Sequence, residues 1–379
     1  MADKKKHKLR AEFRKNRSGR ARSDDWTRRF HADGGDASDE SLSDERISGK
    51  GDVNRKRTVV GAVATGAEDG FSVVPDVDLA TVKQGRALAV QGLLSTVEAD
   101  DGSIYSCATR RLLKTLSTDQ RHVVAAGDIV LFRPLDNQEG IIERVEPRKS
   151  VLSRAIRGRR QIIVTNVDQL LIIASAAEPY LKPNLIDRFL ISAHKTGLRP
   201  IICINKIDLV DPASLAPLVG VYSQMGYQVL LLSSVTGCGV DRLRRIMSGR
   251  ASVVAGQSGV GKSSLVNAVD PALRLRVSAV SAESQKGRHT TSTARLWPLA
   301  CGGYVVDTPG IRQFQLWDVI PAEVAGYYRD LRPYINHCNF PNCTHTHETG
   351  CAVKNAVADG WLDLRRYEGY CHLMAGEME

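Results

Sequence analysis

The chain of 379 residues lacks any uninterrupted apolar run of membrane-spanning length. Its most apolar stretch, 162-IIVTNVDQLLIIASA-176, is broken by Asn166, Asp168 and Gln169, whereas a spanning helix needs about 20 nearly continuous apolar residues. No membrane association is expected. The N-terminus, MADKKKHKLRAEFRK, has no apolar segment behind its charges and so does not read as a secretory leader. Asp3, Glu12, Asp24 and Asp25 interrupt the basic residues and argue against a transit peptide. The default location is the cytoplasm. There is no internal repeat, and the eight cysteines do not form a disulfide framework. Cys107, Cys203, Cys238 and Cys301 are scattered, whereas Cys338, Cys343 and Cys351 cluster. In a cytoplasmic chain such a cluster points to metal before disulfide.

What is present begins with charge. The net charge is +10, and residues 1–30 hold twelve Lys or Arg against four acids. Such an arm attracts a polyanion, because neutralising phosphates releases counterions; the plainer reading is a solvated tail. Beyond it, 31-HADGGDASDESLSDERISGKGD-52 is too poor in apolar side chains to fold, so residues 1–83 are expected to form a disordered arm.

The remaining length suits two or three domains. Over 84–151, short strand-like runs such as 86-RALAVQGLLSTVEA-99 and 128-DIVLFRP-134 are separated by turn residues. This suits a small closed barrel of the OB type, with Arg110, Arg111 and Lys114 as a candidate nucleic-acid face, or else an SH3-like spacer. Over 152–320, apolar strands such as 200-PIICINK-206, 228-QVLLLSS-234 and 304-YVVDTPG-310 alternate with helical stretches. That is the rhythm of a parallel sheet with flanking helices. Residues 321–379 read as helices around a Cys/His cluster. The expected class is multidomain α/β: a β-barrel, a P-loop domain and an α-helical metal-binding domain.

The stretch 256-GQSGVGKS-263 is a full Walker A match between a strand and a helix. Gly256, Gln257, Ser258, Gly259, Val260 and Gly261 would wrap the phosphates with inward N–H groups. Lys262 would reach the β/γ oxygens, Ser263 would offer its hydroxyl to magnesium, and Ser264 opens the helix. Asp307, at the end of another strand, is the candidate magnesium-facing acid, and the Gly310 N–H would sense the γ-phosphate. In 205-NKID-208, Asp208 would accept two hydrogen bonds from guanine, a donor pair that adenine lacks. Asn205 would tie this loop to the P-loop and the Lys206 stem would cover the base. In 233-SSVTG-237 the Ser234 N–H would serve guanine O6, next to Ser233. The nucleotide is therefore GTP rather than ATP. The switch threonine should lie in 286-KGRHTTSTARL-296, as Thr290 or Thr291.

Ras-like GTPases run P-loop, switch threonine, Asp-x-x-Gly, Asn-Lys-x-Asp, Ser-Ala. Here the last two come first, which is a circular permutation of one sheet. The chain then leaves the domain just after Asp307–Gly310, straight into the C-terminal segment. The permuted order, GQSGVGKSS, KGRHTTS, DTPG, NKID and the Cys/His cluster resemble the ribosome small subunit-dependent GTPase A (RsgA/YjeQ) family over roughly residues 84–375. The resemblance implies an OB-fold, a circularly permuted GTPase domain and a zinc domain. It also implies action in late maturation of the small ribosomal subunit, with that subunit and its rRNA as partners; a monomer is expected, with GTP/GDP, Mg2+ and one structural Zn2+ bound.

Ras-like enzymes orient the attacking water with a glutamine directly after Asp-x-x-Gly. Here that position is Ile311, with Gln313 two residues further on. His289 is the better candidate to position water, its alternatives being a solvent-exposed switch histidine or an RNA contact. The fourth P-loop position is Gly259 rather than the Asn of potassium-using relatives, so potassium is not expected. In 337-HCNFPNCTHTHETGC-351 the donors are Cys338, Cys343, His345, His347 and Cys351, with His337 also spare. The family pattern, Cys-x4-Cys-x-His-x5-Cys, lands on Cys338, Cys343, His345 and Cys351, a closed and hence structural site. Lys354, Arg365 and Arg366 around it suit an RNA-facing module. The competing function is a guanine-nucleotide-gated RNA-binding protein with little turnover of its own.

Overall fold

The computed structural model describes residues 8–12, 56–63, 73–75, 77–110, 113, 123–156, 159–275, 294–307 and 321–376. The chain divides into two compact units, the second comprising residues 79–109 and 120–379. The first carries strands β1 (Lys8–Glu12), β2 (Lys56–Val63) and β3 (Val73–Pro75), paired antiparallel in that order. An arm without any order over 1–83 is thus not what the structure has. The local reason is 56-KRTVVGAV-63, whose Thr58, Val59, Val60 and Val63 favour a strand despite the polar stretch before it.

In the second unit, β4 (Lys83–Gln91), β5 (Leu94–Ala99), β6 (Ile104–Thr109), β7 (Ile129–Pro134) and β8 (Glu139–Val145) run in the order β4-β5-β6-β8-β7. A pairing of β7 back to β4 closes the barrel, and β6 with β8 is its one parallel pair. This is OB topology, as expected. Inward residues Ala87, Val97, Cys107, Val130, Phe132 and Ile142 are fully buried.

A hairpin of β9 (Val151–Ile156) and β10 (Arg159–Thr165) leads out of the barrel. Its base is fixed by Asp128, which accepts Arg148 Nε at 2.7 Å, Arg148 Nη2 at 2.8 Å, Thr165 Oγ1 at 2.7 Å and the Ala125 N–H at 2.8 Å. With the pair excluded from solvent, the bidentate geometry and the added donors offset the desolvation of both charges.

The nucleotide-type domain follows as β11 (Gln169–Ser175), α1 (Pro183–Lys195), β12 (Arg199–Asn205), α2 (Ala216–Gln224), β13 (Gln228–Leu231), α3 (Val240–Met247), β14 (Ala251–Ala255), α4 (Lys262–Val269), β15 (Arg295–Pro298) and β16 (Tyr304–Asp307). The sheet order is β13-β12-β11-β14-β16-β15, parallel except for β15. Both faces are covered, so β11 is buried at all seven positions. Leu170 and Ile172 pack into one core, and Leu171 and Ile173 into the other. That is why 169-QLLIIAS-175 reads as a continuous apolar run and not as an alternating one.

The C-terminal helices are α5 (Pro321–Tyr327), α6 (Ala352–Ala358) and α7 (Leu364–Met374). Their core takes Ile191 from α1. The joint is ionic: Arg366 donates to Asp330 through Nε at 2.9 Å and Nη2 at 2.8 Å, and its Nη1 lies 2.6 Å from Asp187 Oδ1. Tyr222 OH donates to the same Asp187 oxygen at 2.6 Å. Burial pushes the Asp187 carboxyl up, and Arg366 pulls it back towards the charged form. Arg366 is only 2% exposed. It and Arg365, which lies 3.6 Å from Asp187 Oδ2, belong to this joint and do not present an RNA-facing surface. Among the described residues no helix is long and apolar enough to cross a membrane.

Breaking a buried ionic cluster from one side is costly. Arg366→Leu, which leaves Asp330 without its cation and Asp187 with only the longer contact to Arg365, is expected to destabilise the protein by about 3–5 kcal/mol in urea unfolding. A loss below about 1 kcal/mol, the range of exposed pairs, would show that the joint does not depend on it.

Candidate nucleotide site and metal cluster

Parallel strands deliver their C-terminal loops to one sheet edge, and there β14, β12, β13 and β16 hand over to the P-loop, 205-NKID-208, 233-SSVTG-237 and Asp307. The P-loop glycines are sterically required. Gly256 has φ 149°, and a Cβ there would meet the Ile173 carbonyl oxygen at 2.1 Å. Gly261 has φ 87°, and its Cβ would lie 2.5 Å from Asn205 Nδ2. Lys262 Nζ donates to the carbonyls of Gly256 at 2.9 Å and Gln257 at 2.6 Å, so its charge lies inside the loop. Val260 is buried in the core, Ser258 is exposed and Gly259 has φ 82°. Ser263 and Ser264 occupy the first turn of α4.

Asn205, fully buried, joins the two halves of the pocket. Its Nδ2 donates to the Val260 carbonyl at 2.9 Å, and its Oδ1 accepts the Ser234 N–H at 3.3 Å. The expected tie to the P-loop is therefore present in the geometry. The Ser234 amide, expected on guanine O6, is aimed at Asn205, because a buried amide oxygen needs a donor. Contact with a base would have to share or switch that bond. Buried Ser233 shapes the loop by accepting the N–H groups of Val235 at 3.3 Å and Thr236 at 3.1 Å. Lys206 takes a left-handed conformation, φ 63°, and its Nζ donates to the Glu178 carbonyl. Asp208 is exposed at the mouth. Asp307 closes β16, and its side chain lies outside the described atoms. His289, Thr290, Thr291 and Gly310 lie outside the described residues.

Among the described residues one group of side chains can hold a metal: Cys338, Cys343, His345 and Cys351, with donor atoms all within 4.8 Å of one another. Cys338 Sγ is 3.8 Å from Cys351 Sγ and 3.3 Å from His345 Nδ1, and the latter is 3.6 Å from Cys351 Sγ. Tetrahedral zinc with bonds of about 2.3 Å to sulfur places two thiolates roughly 3.8 Å apart, so the cluster is compatible with one zinc ion. The same separation is far too long for a disulfide. His337 and His347 are exposed and stand outside the group. Burial lowers the His345 pKa and so favours the neutral imidazole that ligates. Sequence reasoning missed the support of this loop. Glu348 accepts the N–H of Thr344 at 2.7 Å, its hydroxyl at 2.6 Å and the Thr346 N–H at 3.1 Å. Tyr370 OH donates to the Thr344 carbonyl at 2.7 Å, and Tyr367 OH to that of His345 at 2.9 Å. The only sequence signal was a single acid set among the ligands.

A Walker A loop on a parallel sheet, an Asn-Lys-x-Asp loop bound to it and base loops that precede it in the chain define a circularly permuted P-loop GTPase. The family model described as RsgA GTPase matches residues 145–317. A protein of Sodalis glossinidius named small ribosomal subunit biogenesis GTPase RsgA is 39% identical over 313 residues, 80% of this chain and 88% of that one. The protein of that name in Chromohalobacter salexigens is 39% identical over 306 residues, 79% and 87% of the two chains. The crystal structure of YjeQ from Thermotoga maritima matches with a TM-score of 0.66 at 32% identity, covering 78% of this chain and 98% of that one. That of YloQ, titled a circularly permuted GTPase, matches with a TM-score of 0.62 at 28% identity, covering 79% and 97%. The chain belongs to the RsgA GTPase family.

Two substitutions test the site. Asp208→Asn should weaken GTP binding at least about tenfold and favour xanthosine triphosphate in competition assays, because the amide presents a donor where guanine also donates. Unchanged GTP selectivity would remove Asp208 from base recognition. Cys343→Ser should abolish stoichiometric zinc by metal analysis, since one of four ligands is lost. Full zinc retention would bring His337 or His347 into the ligand set.

Proposed function

We propose that the protein binds the small ribosomal subunit and hydrolyses GTP during late maturation of that subunit, leaving when hydrolysis is complete. The observation that carries this reading is the Asn205 bridge, which holds phosphate loop and base loops as one guanine-nucleotide pocket. Along the chain these loops follow a five-stranded barrel and precede the metal cluster, and the relatives are named for small-subunit biogenesis.

In this scheme the P-loop amides and Lys262 take the β/γ-phosphates, and Asp208 selects guanine. Ser263, Asp307 and Thr290 or Thr291 would hold magnesium, which would neutralise charge between the phosphates. With Ile311 at the usual glutamine position, turnover by the isolated protein is slow. His289 takes the water-positioning role once the subunit closes the switch segment over it. The basic residues of 1–30 and the barrel engage rRNA by counterion release. The protein acts as a monomer, and zinc at the Cys3His cluster keeps the C-terminal helices in place.

The measurement is GTP and ATP turnover with and without purified small subunits. At least about tenfold stimulation of GTP hydrolysis by small subunits, with none by large ones, is expected for a partner that completes the catalytic site. Tight GTP-dependent subunit binding without stimulation would favour a nucleotide-gated binding protein.

A further inference from the structure

The barrel grips the strand pair that carries the nucleotide-sensing acid. Strands β15 and β16 form a tight hairpin in the register Arg295↔Asp307, Leu296↔Val306, Trp297↔Val305 and Pro298↔Tyr304. A hydrogen bond of 3.0 Å from the Leu299 N–H to the Gly303 carbonyl closes the turn and ties the two strands at that end. At one end Arg295 pairs with Asp307 on one side and with Ala89 of barrel strand β4 on the other. At the other end Tyr304 OH donates to Glu98 Oε2 of barrel strand β5 at 2.8 Å. The Arg86 guanidinium of β4 lies over the Tyr304 ring, 4.8 Å from its centre, and reaches the Asn166 carbonyl at 3.4 Å.

This second tether borders a cleft of about 370 Å³, lined by Gln84, Arg86, Glu98, Asp100 and Tyr304 among others. The Tyr304 ring also packs on the apolar core that joins Leu88 of β4 to Leu296 and Val306 of the ribbon. The hydrogen bond to Glu98 adds direction to that apolar seam. Burial, then Glu98, push the Tyr304 phenol up to about 12, so it remains a proton donor at any working pH.

We propose that Tyr304, through Glu98, is a positioning residue for GTP hydrolysis, transmitting the state of the barrel to the strand that ends in Asp307. Binding on the barrel then reseats the ribbon, and nucleotide exchange at the ribbon reseats the barrel, as reciprocal coupling requires. Its ribosomal consequence rests on the function proposed above; the coupling itself does not.

The decisive experiment uses the full chain in two arms. Hydrogen exchange over residues 83–99 should differ between GDP and a non-hydrolysable GTP analogue. That difference should fall by at least about half in Tyr304→Phe, which loses one hydrogen bond, and persist in Glu98→Gln, which keeps an acceptor. In turnover assays Tyr304→Phe should lose about fivefold in subunit-stimulated kcat, while unstimulated kcat and the KM for GTP stay within about twofold. Nucleotide-independent exchange over 83–99 in the parent protein would overturn the inference. So would full stimulation of Tyr304→Phe, or equal loss of stimulated and unstimulated turnover. If the parent protein is not stimulated at all, the ribosomal reading falls, and the exchange arm alone still decides the coupling.

Discussion

Asn205 has no exposed surface, and its side-chain amide is the point through which the nucleotide site is assembled. One end holds the P-loop at Val260, and the other holds the 233–237 loop at Ser234. Gly261 passes so close to Nδ2 that no side chain fits there. The distance from base loops to phosphate loop is thus set by one rigid amide and not by flexible surface residues. Losing it would leave the buried Val260 carbonyl and the half-buried Ser234 N–H without this partner, and an unsatisfied buried group costs more than the bond itself contributes. Asn205 lies 55 residues from Val260 and 29 from Ser234 in the chain, so the sheet must already be in register for the bridge to form.

Beside their apolar seams, the flanking modules are joined by polar clusters of a similar kind. At the barrel, Asp128 collects Arg148, Thr165 and the Ala125 N–H. At the C-terminal helices, Arg366 is shared by Asp187 and Asp330 and covered by the Tyr328 ring at 4.3 Å. Apolar contact would stabilise such joints as well or better, but it is non-directional. Charged, hydrogen-bonded clusters accept one arrangement, which suits modules that must keep a defined orientation around a shared sheet.

What was legible in the sequence was local. The Walker A loop, 205-NKID-208 and the Cys-x4-Cys-x-His-x5-Cys spacing each place their chemistry within fourteen residues, and the five-stranded barrel and parallel sheet followed from strand rhythm. What was not legible was decided across the chain. Arg366 reads as a basic surface residue until Asp187, from a helix far upstream, is placed against it. Likewise nothing near Ser234 announces that its amide faces Asn205. Strand β2 was hidden for the opposite reason, because a short β-branched run was outweighed by the composition of its surroundings.

The permutation gains its mechanical meaning from these attachments. In a sheet opened at the usual place, the acid-bearing strand and its antiparallel neighbour lie in mid-chain, tied on both sides to their own domain. Here they are the last strands of the sheet, and α5 follows only 13 residues after β16 ends. Among the described residues, the outer edge of β15 pairs with no further strand of its own domain and takes β4 of the barrel instead. The ribbon ending in Asp307 is thus contacted by one module through hydrogen bonds and continued covalently into the other. Under the coupling proposed above, a small displacement at the nucleotide would reach the barrel through the Tyr304–Glu98 hydrogen bond and the C-terminal helices through the chain itself.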